Sequence, residues 1–73
     1  MTSDNTAHIA AFIRADERLS FWLRCSMRYT SRQRDAARDF LSKLSHNNIA
    51  PPEGYTFTFA AILAAIRAEM EAE

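Results

Sequence analysis

Asp16-Glu17-Arg18-Leu19-Ser20-Phe21-Trp22-Leu23-Arg24-Cys25-Ser26-Met27 is the stretch on which the fold turns. Leu19, Trp22, Leu23 and Met27 recur at i, i+3, i+4 and i+8, the spacing of one helix face, whereas a half-buried strand alternates every second residue. Asp16 is suited to cap this helix, and Asp16 with Glu17 matches the positive end of its dipole. Before it, Ile9, Phe12 and Ile13 form another helical cluster, with Asn5 or Thr6 as its cap. No glycine or proline separates the two clusters, so one bent helix over 6–29 and two shorter helices both remain open. After it, Thr30-Ser31-Arg32-Gln33 fits a capping box, with a hydroxyl at the cap and a glutamine three residues on. The helix this predicts carries Ala36, Ala37, Phe40, Leu41 and Leu44. His46-Asn47-Asn48 then supplies the cationic and left-handed residues that end helices.

The only strong punctuation is Pro51-Pro52-Glu53-Gly54, which predicts a loop at about 47–56. Beyond it, a last helix starts near Thr56 or Thr58 and carries Phe59, Ile62, Leu63, Ile66 and Met70, with five alanines adding propensity. Tyr55-Thr56-Phe57-Thr58-Phe59 alternates like a strand but has no second strand to pair with, so it reads as an extended lead-in to that helix. The expected fold is all-α, three or four short helices packed around one small core. Residues 1–5 are expected to form a loose N-terminus and residues 6–71 a single helical domain.

Composition narrows the function classes. The chain has 73 residues, nine basic and nine acidic, with one cysteine and one glycine. Its length allows one marginally stable domain, a single cysteine excludes a disulfide scaffold, and zero net charge argues against indiscriminate nucleic-acid coating. The most apolar stretch, Tyr55 to Ile66, is cut short by Arg67, so no membrane span is expected. The start, Met-Thr-Ser-Asp-Asn, does not read as a signal peptide, and a cytoplasmic location is expected. Catalysis needs convergent polar groups, and none can be assembled: Cys25 has no histidine within helical reach, and His8 and His46 have no further ligand at metal spacing. No catalytic residue, metal, cofactor or small-molecule substrate is expected.

Charge placement is more informative. Split by position, the chain carries −1 over residues 1–13, +4 over 14–43 and −3 over 44–73. All but one of its basic residues are arginine, which suits bidentate pairing and stacking on aromatic planes. On the helical wheel of residues 17–29, Phe21, Arg24 and Arg28 fall opposite the core stripe. That predicts an exposed apolar anchor in a basic rim, the composition of a binding hot spot. The competing arrangement buries Phe21 under the first helix or against the last. Arg32, Arg34 and Arg38 extend the basic section into the third helix, where Asp35 and Asp39 interleave with them and have Arg38 or Lys43 as pairing partners. Two helices with a short link also fit a helix-turn-helix DNA-binding repressor. An antitoxin-like helical interaction module, shielding its aromatics by oligomerising, is a further alternative.

The run Ala15-Asp16-Glu17-Arg18-Leu19-Ser20-Phe21-Trp22-Leu23-Arg24, with the total length, resembles the small host-takeover regulators of lytic phages that bind bacterial RNA polymerase. That resemblance implies a non-enzymatic protein that inhibits initiation and promotes antitermination. It implies a partner in the largest polymerase subunit, near where σ binds or RNA leaves, in the host cytoplasm. Contact with nascent RNA or DNA through the basic face is compatible with it. No functional residue is carried over by the resemblance.

Overall fold

A computed structural model describes the backbone of residues 2–72 and the side chains of residues 5–71. Four helices follow one another: α1 (Thr2–Ala15), α2 (Glu17–Tyr29), α3 (Gln33–His46) and α4 (Phe59–Ala72). Among the described residues there is no strand, as expected for an all-α chain. Each helix packs on two others in the cyclic order α1, α4, α3, α2, with the broadest contact between α1 and α4. A radius of gyration of 11.1 Å matches the ~11 Å of a single folded body of this length.

Asp16 decides between one bent helix and two. Its backbone is extended (φ −100°, ψ 118°), and its carboxylate accepts from Leu19 N–H at 3.0 Å, so α2 starts afresh there. Ser20 secures the corner from the other side, its hydroxyl donating to the Ile13 carbonyl at 2.9 Å. The Ser20 bond meets one of the orphan carbonyls that the end of α1 leaves.

The expected capping box does not form. Thr30 is the extended residue that closes α2, and its hydroxyl accepts from Arg32 N–H at 3.2 Å. The hydroxyl is thereby spent on a two-residue turn, and α3 begins two residues later than a Thr30 cap would have it, with Arg32 at its N-cap and no side-chain cap. Its far end follows the rule for left-handed termination. Asn48 has φ 54°, Asn48 N–H bonds Ser45 O and Ile49 N–H bonds Leu44 O at 3.0 Å, which is the Schellman pattern. Ile49 is thereby brought against the core. Gly54 (φ 87°) then sits at the turn closed by Tyr55 N–H to Pro52 O, 3.0 Å, at the position where a type II turn needs a residue without a Cβ. Thr58 caps α4, its hydroxyl accepting from Ala61 N–H at 3.1 Å.

Residues 2–5 are not a loose lead: α1 begins at Thr2, while Met1 lies outside the described residues. Asn5 is inside the helix, not at its cap. Its amide donates to Thr56 O (3.1 Å) and its carbonyl oxygen accepts from Thr56 N–H (2.9 Å). This two-bond clasp, with His8 stacked on Tyr55 at 3.9 Å and Phe12 against Phe57 at 6.2 Å, fastens the extended lead-in of α4 to α1.

The core consists of Ile9 and Ile13, Leu19 and Leu23, Ala36, Ala37, Phe40 and Leu44, and Ala61, Ile62, Ala65 and Ile66. Helix α4 departs from the expected stripe. It buries Ala61, Ile62, Ala65, Ile66 and Glu69, leaves Phe59 and Leu63 half-buried, and leaves Met70 exposed. The alanines let α4 lie close against α1, and that contact rotates the buried arc away from the larger side chains.

Candidate partner-binding surface

With Leu19 and Leu23 turned into the core, the 3.6-residue period throws residues 21, 24, 25 and 28 outward together. Phe21, Arg24, Cys25 and Arg28 line one shallow hollow of about 160 Å³ on the outer face of α2. Phe21 is 61 % exposed, so it does not pack under the first helix or against the last. Cys25 is a free thiol, half-buried beneath this cluster. Beside it, the Arg18 guanidinium lies over the Trp22 ring, 5.3 Å from its centroid, a cation–π pair that keeps a further cation at this edge.

Arg24 is not a free rim charge. Its Nε lies 3.7 Å from Glu69 Oε1, and Arg14 Nε lies 3.9 Å from Glu69 Oε2. Glu69 sits on the buried arc of α4, and its carboxylate links that helix to both α1 and α2. Both arginines are more than half exposed, and exposed pairs at such distances contribute little. Glu69 steers where Arg24 points more than it stabilises the fold. An apolar-residue search misses Glu69; counting the alanines would reveal it, because Ala61, Ala65 and Glu69 follow one another at i+4.

The other three arginines stand elsewhere. Arg32 is at the N-cap of α3, and Arg34 and Arg38 are exposed one turn apart along it; none lines the hollow around Phe21. Asp39 takes Lys43, the partner expected four residues on, and none of these arginines. It turns toward α2, pairing with Lys43 Nζ at 3.0 Å and accepting from the Ser26 hydroxyl at 2.7 Å. The Ser26 oxygen in turn accepts from Lys43 Nζ at 3.1 Å. The Ser26 hydroxyl holds the Asp39 carboxyl below its ordinary value of 3.8; partial burial works against it, and the Lys43 ammonium adds to the lowering.

Serine, aspartate and lysine in mutual contact have the composition of an activated nucleophile. Ser26, however, is completely buried inside the α2–α3 contact, where no substrate reaches it. The trio is a structural polar joint. His46 is likewise committed, its Nδ1 donating to the Ser42 carbonyl at 2.8 Å. Among the described residues, no group of three or more His, Cys, Asp or Glu side chains could hold a metal ion, and no helix is long and apolar enough to cross a membrane.

Comparison with known protein families, curated proteins and solved structures finds no match to this chain.

Proposed function

We propose that the chain is a non-enzymatic regulator that binds bacterial RNA polymerase through the outer face of α2, inhibiting initiation and promoting antitermination. The observation that carries the contact assignment is the exposed Phe21 set among Arg24, Cys25 and Arg28 in one hollow. An aromatic anchor within guanidinium groups has the composition of a protein-binding hot spot. The polymerase is supplied by the resemblance of residues 15–24 to phage host-takeover regulators. The mechanism is occupancy: a preformed helical face covers an acidic polymerase surface, in the largest subunit, and alters which factors or nucleic acids engage it. Arg32, Arg34 and Arg38 extend the basic surface toward nascent RNA or DNA.

Single-round transcription with purified bacterial polymerase tests this reading. Adding the chain lowers promoter-initiated product and raises readthrough at a terminator; product ratios unchanged at saturating protein, with polymerases from several bacteria, refute it.

One observation favours a second reading, a helix-turn-helix DNA-binding repressor. Arg34 and Arg38 are exposed on α3, and Asp39 is withdrawn toward Ser26, so one source of repulsion for phosphates is removed. In that case duplex DNA is retained in a gel at low salt and released steeply as salt rises, and Arg34→Glu abolishes the retention.

A further inference from the structure

Among the described residues, Glu69 is the only charged residue that is buried, and stability gives no reason for it. A buried carboxylate is costly unless it is paired and hydrogen-bonded. Its two arginine contacts, at 3.7 and 3.9 Å, lie beyond hydrogen-bond distance. Glu69 also stands in the last turn of α4, where the negative end of the helix dipole disfavours an acid. A leucine would serve the core as well or better. What the carboxylate does is hold two guanidinium groups, one from α1 and one from α2, around a single point.

Those groups are aimed without being consumed. Each meets Glu69 most closely through Nε, which leaves the end-on fork of its two Nη groups open. Both side chains are more than half exposed. Arg24 also lines the hollow with Phe21, so the pair continues that surface from α2 onto the end of α1, where Arg14 has had no part until now.

Charge and shape select the ligand. Two guanidiniums and one carboxylate leave a net charge of +1, the complement of a monoanion. A carboxylate matches the guanidinium fork in plane and in acceptor spacing. A nucleic-acid strand suits the site less well, because it carries a charge at every nucleotide. Its neighbouring phosphates come up against Glu69 itself and against Glu17, exposed on the same face of α2 two turns before Arg24.

We propose that Arg14 and Arg24 form a two-guanidinium receptor for one Asp or Glu carboxylate of a protein partner, with Glu69 as the residue that positions both. Assigning that carboxylate to a protein rests on the reading of α2 as a partner-binding face; the anion site itself does not.

Arginine Nε–Hε NMR spectra of the ¹⁵N-labelled full chain test it, with sodium acetate replacing chloride at constant ionic strength. Before acetate is added, heteronuclear NOE values at Arg14 and Arg24 exceed those at Arg34 and Arg38, which pair with no carboxylate among the described residues. Acetate then shifts the Arg14 and Arg24 signals along one saturation curve, with a Kd of about 30–100 mM, the strength of two exposed charge pairs. Glu69→Asp keeps the charge and shortens the reach by one methylene. It lowers both NOE values to those of Arg34 and Arg38 and weakens acetate binding by about threefold or more, since the side chains must then be ordered on binding. Arg14→Lys, a change at an exposed position, keeps the charge and loses the fork; it weakens binding similarly when read at Arg24. Four results overturn the proposal: no saturation at either arginine, unchanged NOE values and affinity in Glu69→Asp, unchanged affinity in Arg14→Lys, or tighter binding of dimethyl phosphate than of acetate, which identifies a nucleic-acid phosphate as the ligand. No polymerase enters this test, so its failure is distinguishable from failure of the polymerase reading.

Discussion

Ser26→Ala removes one buried hydroxyl and separates two elements of the account, packing and charge. The Ser26 side chain is fully buried, and its hydroxyl donates to Asp39 Oδ2 at 2.7 Å while accepting from Lys43 at 3.1 Å. A hydrogen bond to a charged group contributes about 1.5–3 kcal/mol. Asp39 keeps its Lys43 partner and is about two-thirds shielded from solvent, so the low end, about 1.5 kcal/mol, applies. For a domain of this length that is a fall in Tm of about 6–12 °C at pH 7. The pH dependence follows from the direction of the Asp39 shift. A carboxyl held below its unfolded value contributes stability that is present above that value, 3.8, and is lost as pH falls through the lower folded value. The cost of Ser26→Ala is therefore full at pH 5–7 and shrinks below 3.8 as Asp39 protonates. Urea unfolding of wild type and variant between pH 2 and 7 measures it. A penalty that is constant across this range refutes the charge-assisted bond and leaves only the loss of packing.

Glu69→Gln costs at most about 1 kcal/mol, because its two arginine partners are largely solvated. Glu69→Leu, on the same buried arc, is neutral or stabilising; thermal melts of the two variants compare them, and a loss above about 3 kcal/mol for Glu69→Leu contradicts the assignment of a steering role. Asn5→Ala breaks both bonds to Thr56. It lowers stability by about 1 kcal/mol and speeds hydrogen exchange at the Thr56 amide, and unchanged exchange there contradicts the clasp.

The core faces of α2 and α3 were legible from sequence, because each carries large apolar residues at helical spacing. On α2 and α3 the spacing of Leu19 and Leu23, and of Ala36, Ala37, Phe40 and Leu44, names the buried side correctly, and with it the outward placement of Phe21, Arg24 and Arg28. On α4 the same logic points too far toward Met70, because close approach to α1 is achieved with alanine, a residue that hydropathy weighs little. Contacts between parts distant in sequence were not legible. Asn5 meets Thr56, Ser26 meets Asp39, and Arg24 meets Glu69 only once the helices are assembled. The Thr30 capping box shows a local competition: the same hydroxyl serves either a helix cap or a tight turn, and the extended backbone that closes α2 selects the turn. Of the five arginines named from sequence, Arg24 and Arg28 share the hollow on α2, Arg34 and Arg38 lie on α3, and Arg32 is the N-cap of α3.

The most direct measurement is the affinity of RNA polymerase holoenzyme for the chain and for Phe21→Ala and Arg28→Glu, by interferometry with the chain immobilised. Phe21 is exposed and Arg28 forms no ion pair among the described residues, so neither change disturbs the fold, and melting curves verify that. A hot-spot truncation of at least 2 kcal/mol predicts about thirtyfold or greater weakening for Phe21→Ala. Arg28→Glu is expected to weaken binding chiefly through slower association at low salt. Equal affinity of wild type and both variants, with all three folded, contradicts the claim that the outer face of α2 is the binding surface.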